Sequence, residues 1–252
     1  MGVDEALVAS AVSLGRPALR FYRWRGPWLS VGYAQPIDSN RLEACQRAGV
    51  GWVRRVTGGR AVLHGEDLTY AIAAREADLP SGLTASYQLV AGALLEVFRG
   101  LGVEAAVASG RNPGQAGDRN TFDCFARPAR REICVNGRKL AGSAQRRAAG
   151  GVLQHGSIRL RSDPATAQAA SSLTGGGATS LAELGAISDP EAVEKACVEA
   201  FAKALGAEFE PAELMEWERD WAHQRVEAHR RDPGFAPSEL PRGASRASMG
   251  GR

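Results

Sequence analysis

The stretch REICVNGRKLAGSA, residues 131–144, sets Asn136-Gly137 between two β-like runs. An Asn-Gly pair flanked this way is the strongest short signal for a two-residue hairpin, because both turn positions need positive φ. Further strands are predicted around it. ALRFYRW (18–24) and WLSVGY (28–33) read as strands around the Gly26-Pro27 turn. WVRR and RAVLH flank Thr57-Gly58-Gly59, DLTYAIAA (67–74) is the next strand, and GGVLQHGSIRL (150–160) comes after the hairpin. The segment around Gly58-Gly59 reads as a meander with the glycines at a tight bend.

Helices are predicted before, between and after these strands. Residues 4–13 read as a helix that Asp4 can cap. A second starts at Asp38 or Ser39 and runs to about Ala48, where Gly49 ends it. The clearest spans 86–102, with Tyr87, Val90, Ala91, Leu94, Leu95, Phe98 and Leu101 on one face and Gly102 at its end. Others are expected at 164–172, 189–205 and 211–230, and a loop at roughly 109–123. Antiparallel strands with helices on either side give an α+β fold, a mixed, mostly antiparallel sheet flanked by helices.

Of 252 residues, 44% are hydrophobic, enough for a real core. The expectation is one domain over residues 1–231 and a disordered Pro/Gly/Ser-rich tail over 232–252. A net charge of +3 gives no reason to expect nucleic acid. Cys45, Cys124, Cys134 and Cys197 show no C-x-x-C spacing, so no metal site is expected. There is no signal-peptide pattern, no long apolar run for a membrane helix, and Ala6 breaks a myristoylation signal. These features predict a cytoplasmic protein with reduced thiols and no membrane association.

RRVTGGRAVLHGEDLTYAI, residues 54–72, invites a phosphate-loop reading. It matches neither the P-loop nor the dinucleotide-binding pattern. The segment after Gly59 reads as strand, so the helix N-terminus that such loops use is missing. Two readings stand: a plain turn with solvated arginines, or a bend whose N–H groups approach a carbonyl or phosphate oxygen, helped by Arg55 and Arg60. His64 alone reads as a structural, hydrogen-bonded histidine, and packing is likewise the first reading of His155. Cys124 lies in a predicted loop. A lone cysteine is usually a small buried apolar residue, but nine basic residues between Arg111 and Arg147 face only Asp118, Asp123 and Glu132. A thiol in a positive field ionises more readily, and the thiolate is the nucleophile. Cys134 reads as strand packing. Lys139 is either solvated or a fixed cation for Cys124 or an acyl carbonyl. The small residues Ala141, Gly142, Ser143 and Ala144 leave room for a ligand against the backbone.

Taken in order, RRVTGGRAVLH with DLTYAI, then Cys124-Phe125, then VNGRKLAGSAQRR with GGVLQHGSI, resemble the catalytic domain of the biotin/lipoate protein ligases. The similarity covers residues 3–165 and is greatest to the LipM-type octanoyltransferase branch. It implies transfer of octanoyl from octanoyl-acyl carrier protein to a lysine of a lipoyl domain, such as that of the glycine cleavage H protein, through an enzyme thioester. It implies Cys124 as the nucleophile and Lys139 as the cation that lowers its pKa. Arg55, Gly58, Gly59, Arg60 and His64 would line the acyl pocket, and Gly142, Ser143 and Ala144 the strand along the acyl chain. No cofactor is expected on this reading.

Three alternatives share these residues. An ATP-dependent lipoate–protein ligase would use ATP and magnesium, with Lys139 on the carboxylate and α-phosphate, and would need no cysteine. An octanoyl-H-protein amidotransferase would use the same cysteine. A non-catalytic protein that only docks lipoyl domains would not need Cys124 or Lys139, both of which are present.

Overall fold

The computed structural model describes residues 1–108, 132–162 and 177–231, the last five as backbone. The chain runs α1 (Gly2–Leu14), β1 (Ala18–Tyr22), β2 (Trp28–Val31), α2 (Ser39–Arg47), β3 (Gly51–Arg54), β4 (Val62–His64) and β5 (Asp67–Arg75). Then come α3 (Leu83–Gly100), β6 (Ala106–Val107), β7 (Ile133–Val135), β8 (Arg138–Ala148), β9 (Gly151–Arg159), α4 (Pro190–Leu205) and α5 (Glu216–Arg231). A six-stranded sheet of order β1-β5-β9-β8-β7-β6 pairs antiparallel, and β3-β2-β4 form a smaller sheet. This is the expected α+β architecture.

β5 is buried along nearly its whole length because both of its faces are covered. Leu68, Tyr70 and Ile72 point to one side, where they meet Val90, Leu94 and Phe98 of α3 and Phe201 of α4. Ala71 and Ala73 point to the other, against Leu7 and Val8 of α1. Successive strand residues alternate sides, so the part of β5 between the two helical layers, Tyr70 to Ala74, is apolar on both. The smaller sheet has its own core, in which Leu29, Val31 and Leu63 pack with Cys45 of α2.

Helix ends obey their local chemistry. Asp38 accepts a hydrogen bond from the Arg41 N–H at the start of α2, and Asp189 accepts one from Ala192 at the start of α4, where Pro190 takes the first position. Two expectations are corrected. Asp4 does not cap α1; it lies within the helix, fully buried, with Arg20 Nη1 2.6 Å from its carboxylate. The strands around Gly58-Gly59 are not a meander: β2 inserts between β3 and β4, parallel to the first and antiparallel to the second. The expected loop at 109–123, the helix at 164–172 and the tail lie outside the described residues, as does Cys124. Cys134 is buried in β7, and burial pushes its thiol up to about 11, which fits packing and not chemistry.

Candidate active site

The three central strands of the large sheet place three rows of residues side by side. Thr69 of β5 pairs with Ser157 of β9, which pairs with Gly142 of β8. The next rows are Tyr70–Gly156–Ser143 and Ala71–His155–Ala144. Over this surface lies a cavity of about 410 Å³, closed by the loop after β3, the start of α3 and the β7–β8 hairpin. Its wall contains Arg55, Gly58, Gly59, Arg60, His64, Lys139, Gly142, Ser143 and Ala144. The described residues expected to line an acyl pocket thus border one space together with Lys139, while Ala141 packs into the core, and Val62, Leu83 and Tyr87 give the space apolar walls.

Lys139 is positioned by the hairpin. Asn136 and Gly137 both have positive φ, as a tight two-residue turn requires. Cys134 pairs with Lys139 and Ile133 with Ala141, so Leu140 is an extra residue on β8. Such bulges re-aim side chains near functional sites. Here Leu140 enters the core and the Lys139 ammonium turns into the protein, 2.6 Å from the Glu132 carboxylate. Lys139 is only 2% exposed, so the solvated reading falls. Its backbone is held by Gly177 and Thr179. Gly142 makes room for it: a Cβ there would lie 2.4 Å from Lys139 Cε and 2.5 Å from Nζ.

Arg55 takes a different part from that of a free ligand donor. It is buried, and it donates to the Ser30 carbonyl and hydroxyl and to the Gly58 and Arg60 carbonyls. The guanidinium therefore braces the glycine loop, whose Gly59 has a φ of 93°. Gly58 and Gly59 are exposed at the cavity rim, and Arg60 is half-buried there.

His64 is a member of a network that the sequence did not disclose. Asp67 accepts from His64 Nδ1 at 2.8 Å, from Ser157 Oγ at 2.5 Å and from the Gly65 N–H at 2.9 Å. Burial works to raise the Asp67 pKa, but His64, Ser157 and the Gly65 N–H outweigh it and hold it below the usual range. With Nδ1 donating to that carboxylate, Nε2 of the neutral ring is the acceptor and takes the Ser30 O–H at 2.7 Å. Trp24 stacks on the imidazole with centroids 4.3 Å apart. His155 is also buried, with Nε2 2.5 Å from Thr57 Oγ1, and burial lowers its pKa.

Ser143 is tied at both ends: its hydroxyl shares a 2.6 Å hydrogen bond with Tyr70, and its carbonyl accepts from Tyr87. Sequence reading missed Glu132, Ser30, Asp67 and Tyr87 as wall or support. Only Asp67 left a local signal, three residues after His64 at the start of β5. Among the described residues no group of His, Cys, Asp or Glu is arranged to hold a metal, and no helix is long and apolar enough to cross a membrane.

A mostly antiparallel α+β domain with a largely apolar cavity and a buried lysine at its wall is an architecture that suits a catalytic domain for an acyl chain. The model of the lipoyl protein ligase A/B catalytic domain matches residues 1–209, and the chain belongs to this family. An octanoyltransferase LipM of Kyrpidia tusciae is 39% identical over 246 residues, 89% of this chain and 89% of its own. One of Symbiobacterium thermophilum is 38% identical over 248 residues, 90% and 89% of the two chains. The solved structure of a lipoate-protein ligase A bound with ATP has the same fold, with a TM-score of 0.72 at 21% identity over 96% of this chain and 92% of that one.

Proposed function

We infer that this chain is an octanoyltransferase of protein lipoylation, moving octanoyl from octanoyl-acyl carrier protein to a lysine of a lipoyl domain through a thioester on Cys124. The relatives that match it along nearly nine-tenths of their length carry the octanoyltransferase name. The observation that carries the reading in the molecule is the Lys139 ammonium, buried at the wall of an acyl-sized cavity with Gly142 cut back beside it.

The chemistry is consistent with these parts. The Cys124 thiolate attacks the donor thioester carbonyl, a new C–S bond forms, and the carrier's thiolate leaves. An ordinary thiol has a pKa of ~8.5, and a fixed cation favours the thiolate. Lys139 supplies that cation, with Glu132 holding its position. The Gly58-Gly59 bend offers backbone N–H groups near the reacting carbonyl, where one donor is commonly worth ~3–4 kcal/mol. The acceptor lysine then attacks the enzyme thioester, and amide formation makes the second step downhill, so no ATP is consumed. The basic 111–147 stretch suits acidic partners, carrier protein and lipoyl domains such as that of the glycine cleavage H protein, chiefly by raising the association rate.

The test is transfer without nucleotide. Purified protein, octanoyl-carrier protein and a lipoyl-domain protein, with ATP and magnesium left out, are expected to yield an octanoyl amide on the domain's lysine. Transfer that requires ATP and free octanoate or lipoate would overturn the reading in favour of a ligase.

A further inference from the structure

The second half-reaction has a proton problem. A lysine ammonium has a pKa of ~10.4 and cannot attack a thioester until it loses a proton. Lys139 is a poor acceptor, because its ammonium is already engaged with the Glu132 carboxylate. Two histidines border the cavity, and they are not equivalent. His155 Nδ1 lies 3.9 Å from the Asp4 carboxylate, at ion-pair and not direct hydrogen-bond distance, and its Nε2 is taken by Thr57 Oγ1. His64 Nδ1 donates to Asp67 at 2.8 Å, a direct contact that fixes the ring with Nε2 turned to the Ser30 hydroxyl.

We propose that His64 is the proton acceptor for the incoming lysine, acting through the Ser30 hydroxyl and held in its tautomer by Asp67; this rests on the octanoyltransferase reading. Ser30 and His64 both border the cavity, and Ser30 Oγ lies 2.7 Å from His64 Nε2. The order Ser30–His64–Asp67 is that of a hydroxyl activated by an imidazole and a carboxylate. Arg55 Nη1 donates to the same oxygen at 2.8 Å and fixes its orientation.

The protons balance. The lysine ammonium gives one to Ser30 Oγ as Ser30 gives its own to His64 Nε2, and from the imidazolium it passes to water. The amine forms the C–N bond, the C–S bond breaks, a second proton neutralises the departing Cys124 thiolate, and the third stays on the amide. The charged and titratable groups that contact this row or line the cavity with it are Asp67 on β5, Arg55 and Arg60 in the loop after β3, the Lys139–Glu132 pair, His155 of β9 and the Met1 ammonium. Trp24 adds an uncharged face.

The experiment compares two amines on preformed octanoyl-enzyme: the lipoyl-domain lysine, which must be deprotonated, and hydroxylamine, which is already largely neutral at neutral pH. In His64→Gln and Ser30→Ala, the rate ratio of hydroxylamine to lysine at neutral pH is expected to rise about 100-fold over the parent, the usual scale of general-base catalysis. That excess should vanish as pH approaches the lysine pKa. Ser30→Ala leaves the His64–Asp67 pair in place, so it guards against loss of fold in the other variant. An unchanged ratio in both variants, or an excess independent of pH, would overturn the role of His64. Failure of the parent to form any octanoyl adduct would instead overturn the reading beneath it.

Discussion

Gly142 shows how one missing side chain makes room for another. A Cβ there would fall 2.4 Å from Lys139 Cε and 2.5 Å from its ammonium. Both atoms are at the end of a flexible chain, so Gly142→Ala should be accommodated by moving the lysine and not by breaking the sheet. The expected result is a melting temperature within a few degrees of the parent together with an octanoyl-transfer rate at least about tenfold lower, the consequence of losing on the order of 1.4 kcal/mol of transition-state stabilisation. Calorimetry and single-turnover transfer measure the two. A large fall in stability with normal transfer by the folded fraction would mean that Lys139 need not stand where it does.

Lys139 could be found in the sequence because its place depends on a local signal. The Asn136-Gly137 turn fixes where β8 begins, and two residues later comes the lysine. Its partner Glu132 could not, since the pair depends on the extra Leu140, which no pattern of alternation announces. α3 was legible for the reverse reason, as a long periodic segment with one solution. The meander reading failed because strands adjacent in sequence usually pair, whereas here β2 comes from before α2 and takes the middle of the small sheet. Ser30, His64 and Asp67 come together from β2, β4 and β5, so spacing alone could not unite them. Asp4 had the right residue type for a cap, yet its burial beside Arg20 is a tertiary fact. Asp189 is the contrasting case, a true cap distant from the cavity. Asp189→Ala should cost about 1 kcal/mol in urea denaturation and leave the transfer rate unaltered.

For the molecule as a whole, the buried histidine of β9 links stability to pH. Burial lowers the His155 pKa from its ordinary value, and the nearby Asp4 carboxylate only partly restores it. Above about pH 6.5 neither folded nor unfolded chain holds this proton, and the contribution is fully present. Below that, the unfolded chain takes a proton that the folded chain resists, so stability falls with acidification until the folded pKa is passed. The slope from this group is at most ~1.4 kcal/mol per pH unit. Asp67, held low, adds its loss only below the ordinary carboxylate range. Denaturation curves between pH 7 and 5.5 are expected to show the decline, with a shallower one in His155→Gln; equal slopes would assign it to other groups.

The fold, the cavity and the buried lysine all bear on one central claim, that an acyl group passes through this protein as a covalent thioester. The most direct measurement is intact-protein mass spectrometry after incubation with octanoyl-carrier protein alone, then peptide mapping. One octanoyl adduct is predicted, located on Cys124, labile to hydroxylamine, discharged by a lipoyl-domain protein without ATP and missing from Cys124→Ser. No adduct in the parent, or an adduct and full transfer that survive in Cys124→Ser, would contradict the claim.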